Sequence, residues 1–449
     1  MSEWKKVKIG EFLTESKVLA EESDAAHRIT VRLNCKGVEK RGLKAEKEGA
    51  TKYYTRYAGQ FIYGKQNIHK GAFGIIPPEL DGFTSSADLP AFDIDESKCV
   101  PEWIPLCLKA DERYKTLQKE VKGVGSQRLA VNVFLNVEIP LPDVNVQRKI
   151  LAKVSKKITS IALLDDETEK QKSYAKQLRQ NILQEAIEGK LTADWRKQHP
   201  VQKGNPDYDA QALLDCLQQK KESLKKDPLV KREKIRTPVG DTEKEFSIPN
   251  NWIWIRMGEL CYPITKGTTP DVHEIKADGE IPYLKMFNIV NQKLDFDYRP
   301  QYISKKVHDE KLTRSKVYPN DVIMNIVGPP MGKIAMVTDE FPEWNLNQAM
   351  AIFRGYDISI NPYIYVFLNS MIWFKYVHTL GVVGQENMSL EQCKDIAVAL
   401  PPLAEQKEIV ARVEQHLQTI AQLETQITTR ETTTKQLMQS ILKDAFEED

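Results

Sequence analysis

Apolar residues recur at steps of three and four over two long stretches of the chain, 143–188 and 402–449. This is the period of one helix face, so each stretch is predicted to form a helix of about 45 residues, roughly 68 Å long. So long an apolar seam needs a second helix to cover it. The series is interrupted around 165–172 and 428–434, which predicts a polar stutter or a contact surface there. The residues assigned to the seam are Ile150, Val154, Ile161, Leu164, Leu178, Ile182, Ile409, Val413, Ile420, Leu423, Leu437 and Ile441.

The two helical stretches are copies of one sequence. Residues 141–187 align with 400–446 without a gap at an offset of 259, and 16 of these 47 positions are identical, where chance would give roughly three. Each half also begins with a similar phrase, at Trp4–Glu11 and Trp252–Glu259. Two equivalent helices in one chain can pair antiparallel about a pseudo-twofold axis and hold two globules apart. Two separate helices in unrelated bundles are the less favoured alternative.

The regions before each helix, 12–140 and 260–399, combine short β-branched runs with helical segments and turns of Gly, Pro and Asn. The predicted fold is α+β, with two similar globules separated by an antiparallel pair of long helices, an intramolecular coiled coil with a pseudo-twofold repeat. The predicted domains are a first globule at 1–142, a first long helix at 143–188, a linker with a short helix at 189–250, a second globule at 251–401 and a second long helix at 402–449.

Composition places few limits on function. The 449 residues are 41% hydrophobic and 28% charged, as in an ordinary soluble protein. The N-terminus lacks the apolar core of a signal peptide, and no run approaches the ~18 apolar residues of a membrane span, so we expect a cytoplasmic protein. A net charge of +1 neither indicates nor excludes nucleic-acid binding. Six scattered cysteines and seven histidines show no ligand spacing, and no metal site is predicted.

No catalytic motif is evident in the sequence. The closest approach to a phosphate loop, VGPPMGK at 327–333, has three residues between its glycines instead of four, and Ile334 follows its lysine. A proline turn leading into a strand is the better interpretation. The chain also contains no G-x-S-x-G elbow and no Asn- or Asp-Pro-Pro-aromatic stretch of the kind used by amino-methyltransferases.

The remaining candidate chemistry lies in basic and amide-rich loops of both globules. Lys and Arg can neutralise phosphates, while Arg, Asn and Gln can contact base edges in the major groove. Any single one of these residues could be only a solvated loop residue, but two such sets on duplicated globules favour DNA binding. The predicted DNA-binding residues are Arg41, Lys44, Lys65, Gln66, Asn67, Lys70, Lys122, Ser126, Gln127 and Arg128 in the first globule, and Lys266, Thr268, Thr269, Lys285, Asn288, Arg314, Lys316, Asn347, Gln348, Gln385 and Asn387 in the second.

The order of several phrases resembles the specificity (S) subunit of type I restriction-modification enzymes, over essentially the whole chain. The first globule departs from the pattern, because it lacks the G-x-I-P-x-hydrophobic strand found at 279–284. The phrases that carry the resemblance are W-x-x-V/I-x-I/M-G-E at Trp4–Glu11 and Trp252–Glu259, I-P-x-x-W at Ile248–Trp252, EGKLTADWR at Glu188–Arg196, IPYLKMFNI at Ile281–Ile289, and the two LP…Q…I…V helices.

The resemblance implies a non-catalytic DNA reader. Its globules would be two target-recognition domains, each reading one half of a bipartite DNA sequence, and its helices would act as a ruler and as the dock for two modification subunits. Those partners would carry S-adenosylmethionine and methylate adenine, while restriction subunits would use ATP and Mg for translocation and cleavage. The resemblance implies no cofactor on this chain.

Two other classes of function stay open at the level of sequence. One is a coiled-coil scaffold that binds proteins only and has no DNA specificity. The other, less favoured, is a nucleotide-dependent enzyme that uses the VGPPMGK loop.

Overall fold

The computed structural model describes residues 4–21, 24–42, 52–122, 127–328, 330–376 and 387–447. The chain divides into two compact units, unit 1 (Met1–Gln171 with Gln426–Asp449) and unit 2 (Lys172–Thr425). The division passes through both long helices, so each unit contains one globule and a part of each helix. Among the described residues, no helix combines the length and apolarity needed to cross a membrane.

Unit 1 is built on a four-stranded antiparallel sheet. Its core contains a cluster of aromatic rings, with Phe61 stacked on Phe134 at 5.4 Å between centroids and Tyr63 at 4.5 Å from Phe134. The strands of this sheet are, in order, Leu13–Ser16, Ala91–Ile94, Phe61–Tyr63 and Phe73–Ile75. Antiparallel pairs join Ile29–Val31 to Val38–Lys40, Tyr53–Thr55 to Thr84–Ser86, and Lys6–Lys8 to Glu138–Pro140, and the α-helices of the globule are Trp103–Lys109, Arg113–Thr116 and Val131–Leu135.

Unit 2 contains two four-stranded sheets. The first, antiparallel, has the order Cys261–Lys266, Met350–Gly355, Val322–Asn325 and Ile334–Met336, and the second, mixed, has the order Tyr302–Ile303, Ile281–Leu284, Trp344–Leu346 and Lys316–Val317. Two further pairs join Ile253–Arg256 to Ala397–Leu400 and Ile289–Val290 to Lys293–Leu294. Its helices are Met257–Leu260, Asn361–Asn369 and Leu390–Asp395, with Ala193–Gln198, Ala210–Ser223 and Pro228–Lys231 in the linker.

The same arrangement introduces each long helix. The opening strand of each globule pairs antiparallel with its closing strand, and a Leu-Pro step then leads into the helix. The side-chain amide of Gln147 donates to Pro142 O at 2.8 Å, and that of Gln406 donates to Pro401 O at 2.8 Å. The side chain of each glutamine therefore folds back and satisfies a backbone carbonyl that precedes the helix. The helices run from Val144 to Ile187 and from Leu403 to Glu447, where the sequence predicted 143–188 and 402–449.

The long helices run antiparallel to each other within each unit. In unit 1, Ile150 and Val154 share a core with Ile441 and Leu442, while Gln171 accepts a hydrogen bond from Arg430 at 3.1 Å. In unit 2, Arg179 pairs with Glu424 at 3.0 Å, and further along, Leu191 O accepts from Arg412 at 2.9 Å. Within each unit, residue numbers therefore increase along one helix as they decrease along the other, which is the antiparallel pairing predicted for equivalent copies.

The buried seam differs in part from the prediction. Leu164, Leu178, Leu423 and Leu437, assigned to it from sequence, are 42–46% exposed, so this assignment is wrong. The residues four positions after each seam residue are partly or fully buried. These four leucines lie three positions after a seam residue and therefore project on the uncovered side. The seam itself is continuous and recurs every seven residues, at Val154, Ile161, Thr168, Ala175 and Ile182 and at Val413, Ile420, Ile427, Thr434 and Ile441.

The middle of the seam is polar but not interrupted. Thr168 is 1% exposed and Thr434 is 5% exposed, so both occupy seam positions within the stretches predicted as interruptions. The Thr168 hydroxyl donates to Leu164 O at 2.7 Å, which satisfies its buried polar group within its own helix. The predicted interruption of the seam is therefore wrong, because the packing continues through these stretches. The prediction that their residues are polar is correct.

Candidate nucleic-acid interface

In unit 2, several of the predicted loops meet at one edge of the sheets. The turn after strand Cys261–Lys266 is fixed by backbone bonds from Gly267 N to Met350 O at 3.0 Å and from Thr268 N to Leu346 O at 3.1 Å. Gly267 is required here because an added Cβ would lie 2.1 Å from Asn347 O. We name this surface the unit 2 loop edge, and its predicted residues are Lys266, Thr268, Thr269, Lys285, Arg314, Asn347, Gln348 and Asn387.

Side chains also tie this edge together. Tyr283 donates its hydroxyl to Thr268 O at 2.9 Å, and burial raises the pKa of Tyr283 to about 12, which keeps that proton in place. Arg314 Nε donates to Thr268 Oγ1 at 3.3 Å. The Oδ1 atom of Asn347 is buried and lacks a hydrogen-bond partner among the described residues. Because this oxygen is buried, a ligand cannot reach it in this conformation of the turn.

Asn387 reaches the same edge through the loop 326–328. Ile326 N donates to Ala349 O at 2.8 Å, next to Gln348, while Val327 forms a bridge with Asn387. The exposed side chain of Asn387 therefore lies in a segment that contacts the 347–350 turn.

Two predicted DNA contacts in unit 2 have structural roles instead. Asn288 is 1% exposed, its amide donates to Tyr298 O at 2.8 Å, and its Oδ1 accepts from Lys285 N at 3.0 Å. Its hydrogen-bonding capacity holds the loop together, so the base contact assigned to it is wrong. The ammonium of Lys316 pairs with Asp309, and this hydrogen bond lowers the pKa of Asp309. Lys316 is therefore mainly occupied within the unit.

Sequence reasoning missed a cation on aromatic rings beside Lys285. The Arg299 guanidinium lies 5.2 Å from the Tyr298 ring and 6.0 Å from the Phe287 ring. Tyr298 is 46% exposed and is bound through its carbonyl to Asn288, which also caps Lys285. Such a stack offers a positive charge and a flat face to a nucleic acid. The Tyr-Arg-Pro run at 298–300 was the available signal in the sequence.

In unit 1, two of the predicted loops lie side by side. Leu129 N donates to Lys65 O at 2.8 Å, and Lys122 and Arg128 exchange backbone hydrogen bonds of 3.2 and 2.9 Å. Arg41 lies apart from these contacts, beside Arg28, whose carbonyl accepts from Arg41 N at 2.7 Å. Lys44, Ser126 and Gln385 fall outside the described residues. The resulting unit 1 loop edge carries Lys65, Gln66, Asn67, Lys70, Lys122, Gln127 and Arg128.

The guanidinium of Arg128 is already engaged. It makes two hydrogen bonds to Asp88, of 3.0 and 3.2 Å, and both side chains are about half exposed, at 47% and 48%. A pair this exposed contributes roughly 0–1 kcal/mol. DNA phosphates or bases can therefore compete for Arg128, but it has to exchange partners to contact them.

The VGPPMGK loop does not have the geometry of a phosphate loop. Asn325 is 1% exposed, and its side-chain amide donates to Val327 O and Pro330 O, both at 2.7 Å. The backbone carbonyl of Asn325 accepts from Gly332 N at 3.0 Å. The chain then enters strand Ile334–Met336, whereas a phosphate loop leads into a helix whose N-terminus faces the phosphates. The turn into a strand expected from sequence is what the loop forms.

One group of possible metal-ligating side chains occurs among the described residues. Ligand atoms of Asp271, His273 and Glu274 lie within 4.8 Å of one another. The Glu274 carboxylate already pairs with Lys311 and accepts from Asp271 N at 3.1 Å. This is an ordinary exposed ion-pair cluster, and it adds nothing to the loop edge.

Comparisons with known proteins identify the fold. Residues 249–430 match the family model described as "Type I restriction modification DNA specificity domain". The predicted resemblance to type I specificity subunits is confirmed. The chain is 28% identical over 259 residues to the EcoEI specificity subunit of Escherichia coli, covering 56% of this chain and 41% of that protein. It is 26% identical over 336 residues to the EcoBI specificity subunit of Escherichia coli, covering 74% of this chain and 62% of that protein.

The chain thus spans about 41% to 62% of the length of these specificity subunits. The fold is also similar to a solved structure described as the structural basis underlying complex assembly and conformational transition of the type I R-M system. The match covers 99% of this chain and 98% of the chain in that structure, with a TM-score of 0.61 at 17% identity. At that identity the likeness shows the fold alone, and it confirms the predicted α+β class.

Three of the phrases that carry the resemblance in the sequence converge on one buried carboxylate in unit 2. Glu405, in the first turn of the second long helix, is fully buried and accepts from Thr192 at 2.8 Å and from Arg196 at 2.9 and 2.6 Å. Its other oxygen accepts from Trp252 Nε1 at 2.9 Å and Asn251 Nδ2 at 3.3 Å. The EGKLTADWR and I-P-x-x-W phrases therefore meet the LP…Q helix at Glu405, which we name the Glu405 hub.

Proposed function

We propose that this chain is a non-catalytic DNA-recognition subunit of a type I restriction-modification system, and that each globule reads one half of a bipartite DNA sequence. The observation that carries the proposal is the duplication: each unit combines a loop edge rich in Lys, Arg, Asn and Gln with the same strand pair and long helix. Half-sites about one helical turn apart, ~34 Å, lie on one face of duplex DNA. Two copies of one reading module suit such a target.

The side chains on the loop edges divide into two roles. Exposed Lys266 and Arg314 would neutralise phosphates and set the register of the duplex. Gln348 is exposed, so its amide could make the paired contact with adenine that amides favour. In unit 1, Lys65 would neutralise phosphate and Gln127 would contact a base.

Exposed leucines on the helices support docking of two copies of one partner. In unit 1, Gln171 and Arg430 lie opposite each other on the antiparallel helices. Leu164 is seven residues before Gln171 and Leu437 is seven residues after Arg430, so these two leucines also lie opposite each other. In unit 2, Leu178 and Leu423 each precede a member of the Arg179–Glu424 pair. These two pairs are the same positions of the repeat, so one apolar patch occurs twice.

We propose that these two leucine patches bind two modification subunits. Such partners would bring S-adenosylmethionine and methylate adenine, and restriction subunits would bring ATP-driven cleavage. The chain itself would contribute binding and orientation only.

The test of DNA reading is to map methylated adenine in a genome that expresses this chain with its modification subunit. We expect a single two-part motif. Gln348→Ala should relax or abolish only one half of it, and Gln127→Ala only the other, because a lost bidentate base contact costs about 1–3 kcal/mol of discrimination. Lys225→Ala, in an exposed ion pair of the linker, should leave the motif unchanged.

Duplex binding by the assembled complex provides a second readout. Lys266→Ala should weaken binding to all sequences and reduce the slope of log K against log salt by about one, since one phosphate contact is lost. Equal loss of both half-sites from one loop substitution would contradict separate readers. Absence of sequence-specific DNA binding at every salt concentration would favour the protein-scaffold alternative instead.

Docking is tested by counting partner copies. Native mass spectrometry of the complex with Leu164→Asp and Leu437→Asp together should show loss of one modification subunit, and Leu178→Asp with Leu423→Asp should show the same loss. Leu163→Asp is the matched control, because Leu163 is 67% exposed but its repeat counterpart is Gln422. Full assembly by both double variants would refute the assignment of the patches.

A further inference from the structure

An apolar groove of about 510 Å³ lies in unit 1 between helix Trp103–Lys109 and the first long helix. One wall contains Val100, Pro105 and Leu106, and the other contains Leu151 and Ile158. Val100, Leu151 and Ile158 pack on the core of unit 1 and remain only partly buried. The groove is therefore an open extension of the hydrophobic core.

The rim of this groove is mainly basic. Arg148 and Lys109 line it, against one acidic residue, Glu102. On the long helix, residues 148–157 include five Lys or Arg and no Asp or Glu, whereas the counterpart residues 407–416 include two of each sign. The positive charge is thus a property of one copy of the repeat, unlike the two leucine patches.

We propose that this groove binds one amphipathic helix of a partner protein, with apolar side chains along the face that enters the groove and carboxylates beside them. Apolar walls favour a helix that inserts residues at i, i+3, i+4 and i+7, which is a common mode of helix recognition. The basic rim favours acidic flanks and would steer their approach. The pattern predicts one such partner helix per chain, bound independently of DNA reading and of the twofold-repeated patches.

A nucleic acid fits this groove less well. Phosphates need cations on an accessible polar surface, whereas the space between the two walls is lined by aliphatic side chains. The shape selects a protein segment, and the charge selects an acidic one.

The test uses the full chain and three fluorescent synthetic helices of about 18 residues. The first has leucines at i, i+3, i+4 and i+7 flanked by glutamates, the second has the same composition in scrambled order, and the third has lysines in place of glutamates. We expect fluorescence anisotropy to show binding of the first peptide at least tenfold tighter than that of the other two, with affinity falling as salt is raised.

The duplication supplies matched variants of the chain. Leu151→Ser should weaken binding of the acidic peptide about tenfold, as for removal of a buried anchor. Arg148→Glu should weaken it by about five- to tenfold, since an attraction becomes a repulsion at a partly solvated rim. Val410→Ser and Lys407→Glu change the same helix positions in the other copy and should leave affinity within about twofold. Ile158→Ser provides a second groove variant if Leu151→Ser melts early by circular dichroism.

Several results would overturn the proposal. These are equal affinity for the acidic and lysine peptides, equal effects of the groove variants and their counterparts, or no binding of any peptide. Loss of duplex DNA binding on Arg148→Glu, with no peptide binding by the unaltered chain, would assign the basic stretch to nucleic acid instead.

Discussion

Replacing Glu405 by alanine should destabilise unit 2 strongly, because this side chain joins three separate segments. It links the second long helix to Thr192 and Arg196 of the linker and to Trp252 at the start of the second globule. Glu405 and Thr192 are both fully buried, and Trp252 is 3% exposed. Water can therefore replace few of the hydrogen bonds that alanine removes.

The structure sets the size of the effect. Removing one partner of a buried ion pair costs about 3–5 kcal/mol, since the other charge remains in a poorly solvated site. The Arg196 side chain is only 21% exposed, so most of this cost applies. The Thr192 hydroxyl and the Trp252 indole also lose their acceptor, at about 1–3 kcal/mol each, but these losses overlap with the first. We expect a total of about 3–5 kcal/mol for Glu405→Ala, and about half of that for Glu405→Gln, which keeps one oxygen acceptor.

Urea unfolding followed by tryptophan fluorescence measures the free-energy change, and hydrogen exchange locates it. Exchange of backbone amides should accelerate across 189–198, which the hub holds against the helix. Glu408→Ala is the control three residues away, where Glu408 pairs with Arg412 at 2.6 Å and the side chains are 30% and 26% exposed. It should cost less than about 1 kcal/mol.

A loss for Glu405→Ala no larger than that for Glu408→Ala would refute this reasoning. So would unchanged exchange across 189–198 in a variant that is measurably less stable. Either result would mean that packing, and not the buried carboxylate, holds the linker segment in place.

The sequence predicts the long helices well because their signals are local. Helical period, the Leu-Pro step and the gapless repeat place the first helix at 143–188, and it is found at Val144–Ile187. Which leucines face the partner helix is not a local property. Residues three and four positions after a seam residue lie on opposite sides of the seam. Only the position of the second helix decides that Ile158, on one side, is partly covered and that Leu164, on the other, is exposed.

The loop edges show the same limit for polar residues. Sequence identifies the loops that carry Lys, Arg, Asn and Gln, and the fold brings most of them together in each unit. It cannot tell an amide available to a ligand from one consumed by the backbone, as in Asn288, whose partners include Tyr298 ten residues away. The pairing of Arg128 with Asp88 spans 40 residues and depends on the folded loops.

Three buried polar groups give further outcomes. Thr168→Ile should raise the free energy of unfolding by about 1 kcal/mol, since the counterpart in the other helix is Ile427; a decrease in urea unfolding would show that the hydroxyl is needed. Asn325→Ala should lower stability by about 2–3 kcal/mol because two backbone carbonyls lose their donor, and an unchanged melting temperature would contradict this. His308 is fully buried, its Nδ1 lies 3.1 Å from the Asn345 amide nitrogen, and burial lowers the pKa of His308 below its usual 6.5. The unfolded chain then binds the proton more readily than the folded chain, so the contribution of this neutral imidazole is complete above about pH 6.5 and declines as the pH falls below it. The difference in unfolding free energy between the unaltered chain and His308→Gln should therefore become smaller as the pH is lowered from 8 to 5. A constant difference would show that the protonation of this histidine is not coupled to folding.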